Sequence, residues 1–134
     1  MSDDFDAFFE DLRQPAARAF VRGDAQPVLA LSARKGPATF FDPNGGLTEG
    51  AEAINQANLQ SAARFGPRGT TDLDVKDRCA TGELAFWTGY QDAHVEIDGT
   101  LQPMCLRVTE VFRRIDGEWR LVHRHASKAS DAEV

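Results

Sequence analysis

Two runs of alternating apolar and polar residues near the carboxyl end of the chain predict a β-hairpin. They flank Asp116-Gly117, a pair that favours a two-residue type I′ turn. Such a turn sets Ile115 opposite Glu118, and every other pair follows by counting outward. The pairs predicted in this way are Phe112 with Leu121, Glu110 with His123, and Val108 with His125.

Side chains alternate across a strand, so the hairpin has one mostly apolar face and one basic face. The apolar face is predicted to carry Leu106, Val108, Glu110, Phe112, Trp119, Leu121, His123, His125 and Ser127. The basic face receives Arg107, Thr109, Arg113, Arg120 and Arg124. Because the apolar face is the buried one, Glu110 and His123 are expected inside as a cross-strand pair. Burying an unpaired charge is costly, so the two side chains either satisfy each other or line a cavity that holds water or ligand.

The remainder of the chain predicts helices first and strands afterwards. Helical spacing and capping residues predict a kinked helix, or two abutting ones, from Ser2 to Gly23 with an interruption at Pro15. They also predict a short helix after Asp24 and a helix from Thr48 to Phe65. Residues 38–46 read as a short strand and a turn, and period-two patterns predict strands at 73–79, 83–95, 104–115 and 118–127. Helices followed by antiparallel strands indicate an α+β domain with helices on one side of a curved sheet.

Asp98-Gly99 offers a second two-residue turn, which would bring Trp87 opposite Glu110 and turn Phe86 and Tyr90 to the opposite face. A looser loop over residues 97–103 would invert those assignments. Surplus apolar surface on the outer face of a curved sheet predicts a homodimer through that face.

Composition limits the classes of function. With 134 residues, of which 42% are hydrophobic, the chain fits one domain, assigned to residues 1–127 with a polar tail at 128–134. A net charge of −6 argues against nucleic-acid or anionic-membrane partners. The acidic amino-terminal segment lacks the features of a signal peptide and no stretch is long enough to span a membrane, so a cytoplasmic location is expected.

No metal and no cofactor are expected. His123 and His125 lie two apart on one strand and project in parallel, and spacing places no third ligand beside them. Cys79 and Cys105 are too few and too far apart for a zinc knuckle or a disulfide framework. The chain also lacks a glycine-rich phosphate loop after a strand.

Three stretches resemble the nuclear transport factor 2-like superfamily, which includes SnoaL-like cyclases, ketosteroid isomerases and the association domain of calcium/calmodulin-dependent protein kinase II. They are GDAQPVLAL (23–31), FFDPNGGLTEGAEAI (40–54) and RVTEVFRRIDGEWRLVHRHAS (107–127). The resemblance covers nearly the whole chain. It implies a cone-shaped, strongly curved, mostly antiparallel sheet of the cystatin-like type, with the amino-terminal helices on its concave face around an apolar pocket.

The second stretch is similar to the part of ketosteroid isomerases in which the aspartate of an Asp-Pro pair is the general base, here Asp42. The same pair is also a common turn opener, whose aspartate caps backbone amides. The family's oxyanion-binding tyrosine is missing, because Ala16 stands at the comparable position. Glu110 lies near the family's second oxyanion-binding acid but out of register with it, which argues against steroid isomerisation.

Two hypotheses follow. The first is a SnoaL-like binding or association module whose apolar pocket carries Glu110, His123 and His125 and takes a small apolar or aromatic ligand. The wall of that pocket is predicted to be formed by Phe40, Trp87, Phe112, Trp119 and His125. The alternative is a cofactor-independent cyclase, isomerase or dehydratase, with Asp42 accepting a proton, His123 shuttling it, and Glu110 holding the imidazole in one tautomer.

Overall fold

The computed structural model describes residues 2–130. The helical elements are α1 (Ser2–Phe8), a π-helical turn (Phe9–Arg13), α2 (Gln14–Phe20), α3 (Gln26–Leu31) and α4 (Ala51–Ala62). The strands are β1 (Thr39–Phe41), β2 (Leu47–Glu49), β3 (Thr70–Thr81), β4 (Leu84–Ile97), β5 (Thr100–Ile115) and β6 (Glu118–Lys128). The α+β class expected from the order of periodicities is confirmed.

All six strands form one curved sheet in the order β2-β1-β6-β5-β4-β3. Every pairing is antiparallel except that of β1 with β6. The sheet does not close, so β2 and β3 are its edges. The inner face, which carries Trp87, Glu110 and Phe112, packs against the amino-terminal helices, and we call the opposite side the outer face. None of the helices within residues 2–130 is both long and apolar enough to cross a membrane.

The amino-terminal helices bury one line of residues spaced by four, namely Phe5, Phe9, Arg13 and Ala17. In a regular α-helix of 3.6 residues per turn, a spacing of four drifts steadily around the axis. The π-helical turn between α1 and α2 is wider, and it keeps this line directed at the sheet. A charged side chain, Arg13, is thereby carried into the core.

Both predicted two-residue turns are present. Asp98 and Asp116 have φ of 52°, and the glycines that follow them have φ of 78° and 81°, as a type I′ turn requires. The first turn pairs Trp87 with Glu110, so the predicted register of β4 on β5 is confirmed. Phe86 and Tyr90 accordingly lie on the outer face.

The predicted register of β5 on β6 is correct only near the turn. Phe112 pairs with Leu121, but the next pair is Val111 with His123, because Val122 is an extra residue in a β-bulge. The predicted pairing of Glu110 with His123, and of Val108 with His125, is therefore wrong.

Beyond the bulge every residue of β6 changes face. Arg124 lies opposite Glu110 and Ala126 opposite Val108, whereas His123 and His125 project from the outer face. The bulge lies where other parts of the chain reach this strand: β1 pairs with β6 from His123 onward, and the amide of Ala33 donates to the carbonyl of Leu121. It also replaces an imidazole beside the buried carboxylate with a guanidinium, which compensates its charge.

The helix predicted from Thr48 begins later, at Ala51, and ends at Ala62. Thr48 belongs instead to β2, where it pairs with Phe40 across the turn formed by the Asp-Pro-Asn-Gly-Gly segment. The sequence analysis missed this strand because three residues are too few to display a period of two.

We predict that Gly89→Ala destabilises the fold by ~3 kcal/mol or more, since a Cβ at this position would lie 2.0 Å from the backbone carbonyl oxygen of Asp74. The change in free energy of unfolding is measured by urea denaturation. Gly82→Ala is the matched control, because a Cβ there meets no atom within 4 Å and costs only the left-handed backbone, about 1 kcal/mol. Equal losses for the two variants would contradict the close approach at Gly89.

Candidate functional site

The carboxylate of Glu110 is completely buried and accepts four hydrogen bonds. Arg13 binds it in a bidentate manner, with Nε 2.8 Å from Oε1 and Nη2 2.9 Å from Oε2. Arg124 Nη1 donates to Oε2 at 2.7 Å, and the indole Nε1 of Trp87 donates to Oε1 at 2.7 Å. These short charge-assisted bonds account for the stability of a carboxylate in an apolar core.

Each donor reaches Glu110 through a different feature of the fold. The π-helical turn directs Arg13 at the sheet, the turn between β4 and β5 sets Trp87 opposite Glu110, and the β6 bulge brings in Arg124. The side-chain oxygen of Gln91 accepts from Arg124 Nη2 at 2.6 Å and fixes the guanidinium. We refer to Arg13, Trp87, Gln91, Glu110 and Arg124 as the Glu110 cluster.

The electrostatics of the Glu110 cluster keep the carboxylate ionised. Burial alone would raise the pKa of Glu110, but the charges and hydrogen bonds of Arg13, followed by Arg124 and Trp87, lower it to about 2. Burial lowers the pKa of Arg124, and Glu110 opposes that change. Glu110 therefore has no proton to donate at neutral pH, and its lone pairs are already engaged.

Two arginines surround a single carboxylate, so the cluster carries one excess positive charge inside the protein. The remaining nitrogen of Arg13, Nη1, is buried and has no hydrogen-bond partner among the described residues. An unsatisfied buried donor of this kind destabilises the fold. The bidentate contact of the same guanidinium with Glu110 must therefore contribute more stabilising free energy than the unsatisfied nitrogen costs.

The aromatic residues expected to line a ligand pocket lie in the closed core around the Glu110 cluster. Phe112, Trp87 and Trp119 are almost fully buried. The ring of Phe5 lies 5.2 Å from that of Phe112, and the ring of Phe9 lies 5.5 Å from that of Trp87. The amino-terminal helices thus fill the space beside Glu110 with phenylalanine rings rather than leaving it open to a ligand.

His123 and His125 lie on the outer face, contrary to the predicted orientation of β6. His123 Nδ1 is 2.7 Å from Thr39 Oγ1, so this imidazole forms a hydrogen bond with Thr39 and not with Glu110. Burial lowers the pKa of His123, the neighbouring His125 lowers it further, and Glu110 opposes both effects. The ring of Phe41 lies 5.8 Å from that of His123 and 5.3 Å from that of His125.

Asp42 closes the turn between β1 and β2. Its Oδ1 accepts hydrogen bonds from the amides of Asn44 at 2.8 Å and Gly46 at 3.2 Å. This is the local capping role of an Asp-Pro turn, and it engages one of the two carboxylate oxygens of Asp42. Phe40 lies on the other side of β1 from Phe41 and lines a cavity of only about 20 Å³ under α4.

The structure does not assemble Asp42, Glu110 and His123 into one group, since no hydrogen bond joins any two of them within residues 2–130. The sequence analysis missed Arg13 and Arg124. Arg13 continues the four-residue spacing of Phe5 and Phe9, which could have revealed it. Arg124 carried no local signal, because only the bulge turns it inward.

Across the described part of the chain, no three or more histidine, cysteine, aspartate or glutamate side chains come together as a set that could hold an ion.

Comparison with known proteins identifies the fold and the family. A family model described as a SnoaL-like domain matches residues 9–131. A Streptomyces avermitilis protein, provisionally named a dehydratase of the NTF2-like family, has a TM-score of 0.72 at 23% identity, covering 90% of this chain and 97% of that one. The CaMKII hub of S. rosetta has a TM-score of 0.68 at 20% identity, covering 89% of this chain and 92% of that one. A ketosteroid isomerase-like protein from Erwinia carotovora atroseptica has a TM-score of 0.67 at 19% identity, covering 84% of this chain and 86% of that one.

None of the curated proteins compared matches the sequence. The resemblance to the nuclear transport factor 2-like superfamily is confirmed by the family match and by these structures, which at such identities establish the fold alone.

We predict that Glu110→Gln costs ~3–5 kcal/mol of stability at pH 7, because it leaves two buried arginines without a counter-charge. The folded pKa of about 2 lies below the unfolded value, so the contribution of Glu110 is complete above about pH 5 and is lost as the pH falls towards 2. Urea denaturation between pH 7 and pH 2 should show a steep decline for the wild type and a shallower one for the variant.

Glu118→Gln is the control, because Glu118 forms a 2.7 Å ion pair with Arg120 at the surface, with its side chain 68% exposed. Its loss should cost less than ~1 kcal/mol. A tolerated Glu110→Gln with an unchanged pH profile would contradict the role given to the cluster.

Proposed function

This chain belongs to the SnoaL-like domain family, and we propose that it acts there as a non-catalytic association module that forms a homodimer through the outer face of its sheet. The main support is the character of that face, which is neither uniformly polar nor uniformly charged. Apolar side chains project from it at both ends: Phe41 and Leu47 on β1 and β2, and Leu84, Phe86 and Val111 on β4 and β5. Phe41 and Leu47 are 40% and 50% exposed, respectively.

Charge on the outer face is divided between its two halves. The side of β3 and β4 is acidic, with Asp72, Asp74, Asp77 and Asp92, although Lys76 also lies there. The side of β5 and β6 is basic, with Arg107, Arg113 and the two histidines. In an isologous dimer whose two-fold axis runs parallel to the strands, the acidic half of one protomer meets the basic half of the other, and this is the arrangement that the charges favour.

Likeness to a protein called a hub supports assembly as the role of this fold here. The proton-transfer alternative has no comparable support. Asp42 caps a turn, Glu110 is fully engaged in ion pairs, and His123 lies on the other face of the sheet from Glu110. An apolar ligand beside Glu110 would have to displace Phe5 or Phe9, both completely buried.

We expect sedimentation velocity to show a dimer at micromolar protein, weakened by high salt because opposite charges contribute. Leu47→Asp should raise the dissociation constant at least tenfold, equivalent to ~1.4 kcal/mol, since it places a carboxylate in the apolar end of the interface. Leu12→Asp is the matched control: Leu12 is also an exposed leucine, at 56%, but it lies on the π-helical turn on the helical side of the molecule.

A protein that stays monomeric at several hundred micromolar would overturn the proposal. An equal effect of Leu12→Asp and Leu47→Asp would also do so, because association would then not depend on the outer face.

A further inference from the structure

The outer face contains a cleft of about 340 Å³ that spans β3, β4, β5 and β6. Among the described residues, Lys76, Arg107 and His125 line it, together with the hydroxyls of Thr88, Thr109 and Ser127. None of the lining residues within the range 2–130 is an aspartate or a glutamate. The lining of this cleft therefore differs in character from the protein as a whole, which carries a net charge of −6.

Two β-bulges bring these side chains together. The bulge at Val122 turns His125 and Ser127 to the outer face, where they pair with Thr109 and Arg107. A second bulge, between Val75 and Asp77 in β3, inserts Lys76, whose ammonium lies 5.9 Å from the ring centre of Tyr90. Bulges characteristically re-aim side chains at functional sites, and here the two of them direct an imidazole and an ammonium group into the same cleft.

We propose that this cleft binds a small organic oxyanion through its phosphate or carboxylate group. Guanidinium, ammonium and imidazole groups together with hydroxyls are the donors that such oxyanions prefer. The volume is at the lower end of that found for small-molecule sites. The ring of Tyr90 and the backbone of Gly89 provide a wall against which the organic part of the ligand packs.

The ion pair that Lys76 makes already does not prevent this role. Lys76 Nζ lies 3.1 Å from Asp74 Oδ2, but the two side chains are 59% and 55% exposed. Surface pairs of this kind contribute little free energy, so the ammonium turns to an incoming anion at little cost. The hydroxyl of Thr88 donates to the backbone carbonyl of Val108 at 3.2 Å and lies 3.2 Å from the hydroxyl of Thr109, so we assign the hydroxyl contacts with the anion to Thr109 and Ser127.

The described residues that line the cleft all belong to one protomer, so the proposed anion binding does not require the proposed dimer. The cleft nevertheless opens on the face through which we propose that two copies associate. Binding is therefore measured on the full chain and on the Leu47→Asp variant, which separates the two ideas.

The experiment is isothermal titration calorimetry at low ionic strength with phenyl phosphate, benzoate, inorganic phosphate and, as a neutral probe, benzyl alcohol. We expect phenyl phosphate or benzoate to bind, inorganic phosphate to bind more weakly, and benzyl alcohol not to bind. Whichever of the first two binds more tightly identifies the anionic group that the cleft prefers. Failure of both to bind the full chain and the Leu47→Asp variant would overturn the inference.

Arg107→Gln and Lys76→Gln should each weaken binding by roughly tenfold, equivalent to ~1.4 kcal/mol. Arg113→Gln is the matched control, because Arg113 projects from the same face of β5 but lies outside the cleft. It should change affinity by less than about twofold, and a loss equal to that of Arg107→Gln would reduce the effect to general charge and refute the site. Urea midpoints exclude misfolding, and Lys76→Gln, at an exposed position, remains informative if Arg107→Gln unfolds.

The outcomes distinguish the two proposals. If the chain binds one of the anions tightly but never dimerises, the proposed anion site stands and only the proposed association module is overturned. A stable dimer that binds none of the anions, with the Leu47→Asp monomer equally inert, overturns only the cleft.

Discussion

A single buried carboxylate determines how the rest of this structure is arranged. Glu110 is inaccessible to solvent, and an ionised group in that position persists only when opposite charge and hydrogen bonds surround it. Arg13 and Arg124 supply the charge, and they come from a helical turn and a strand 111 positions apart along the chain, at residues 13 and 124. The contact therefore fastens the amino-terminal helices to the centre of the sheet.

Two irregular elements of the backbone make that arrangement possible. A π-helical turn keeps Arg13 in line with the phenylalanines that cover the sheet, and a bulge in β6 gives Arg124 the place that regular pairing would assign to an imidazole. Irregular elements of this kind persist where a tertiary contact compensates for them. They hold together a closed junction in the interior, in which two guanidinium groups surround one carboxylate that is inaccessible to solvent.

The same bulge determines the chemistry of the opposite face. By turning Arg124 inward it turns His123 and His125 outward, where they join Arg107 and the inserted Lys76. The outer face thus combines exposed apolar side chains, an acidic half and a donor-lined cleft. Both the association and the anion site proposed here depend on this face. The inner face, where the family resemblance implies a pocket, is covered by the protein's own helices.

Sequence alone determined the elements that depend on local chemistry. The two aspartate-glycine turns fixed the pairing around them, and the periodicities identified four long strands, the helices and the burial of Glu110 and Trp87, because turn geometry and alternation act over a few residues. The family followed from the same stretches. Only the tertiary structure decided the phase of β6 beyond Leu121, the inward position of Arg13, and the short strand at Thr48. A bulge shifts every later side chain by one residue and is selected by contacts far away in the chain, namely the charge of Glu110 and the arrival of β1 beside β6. Local patterns contain no record of those contacts, so the arginine opposite Glu110, Arg124, emerged from the fold and not from the sequence.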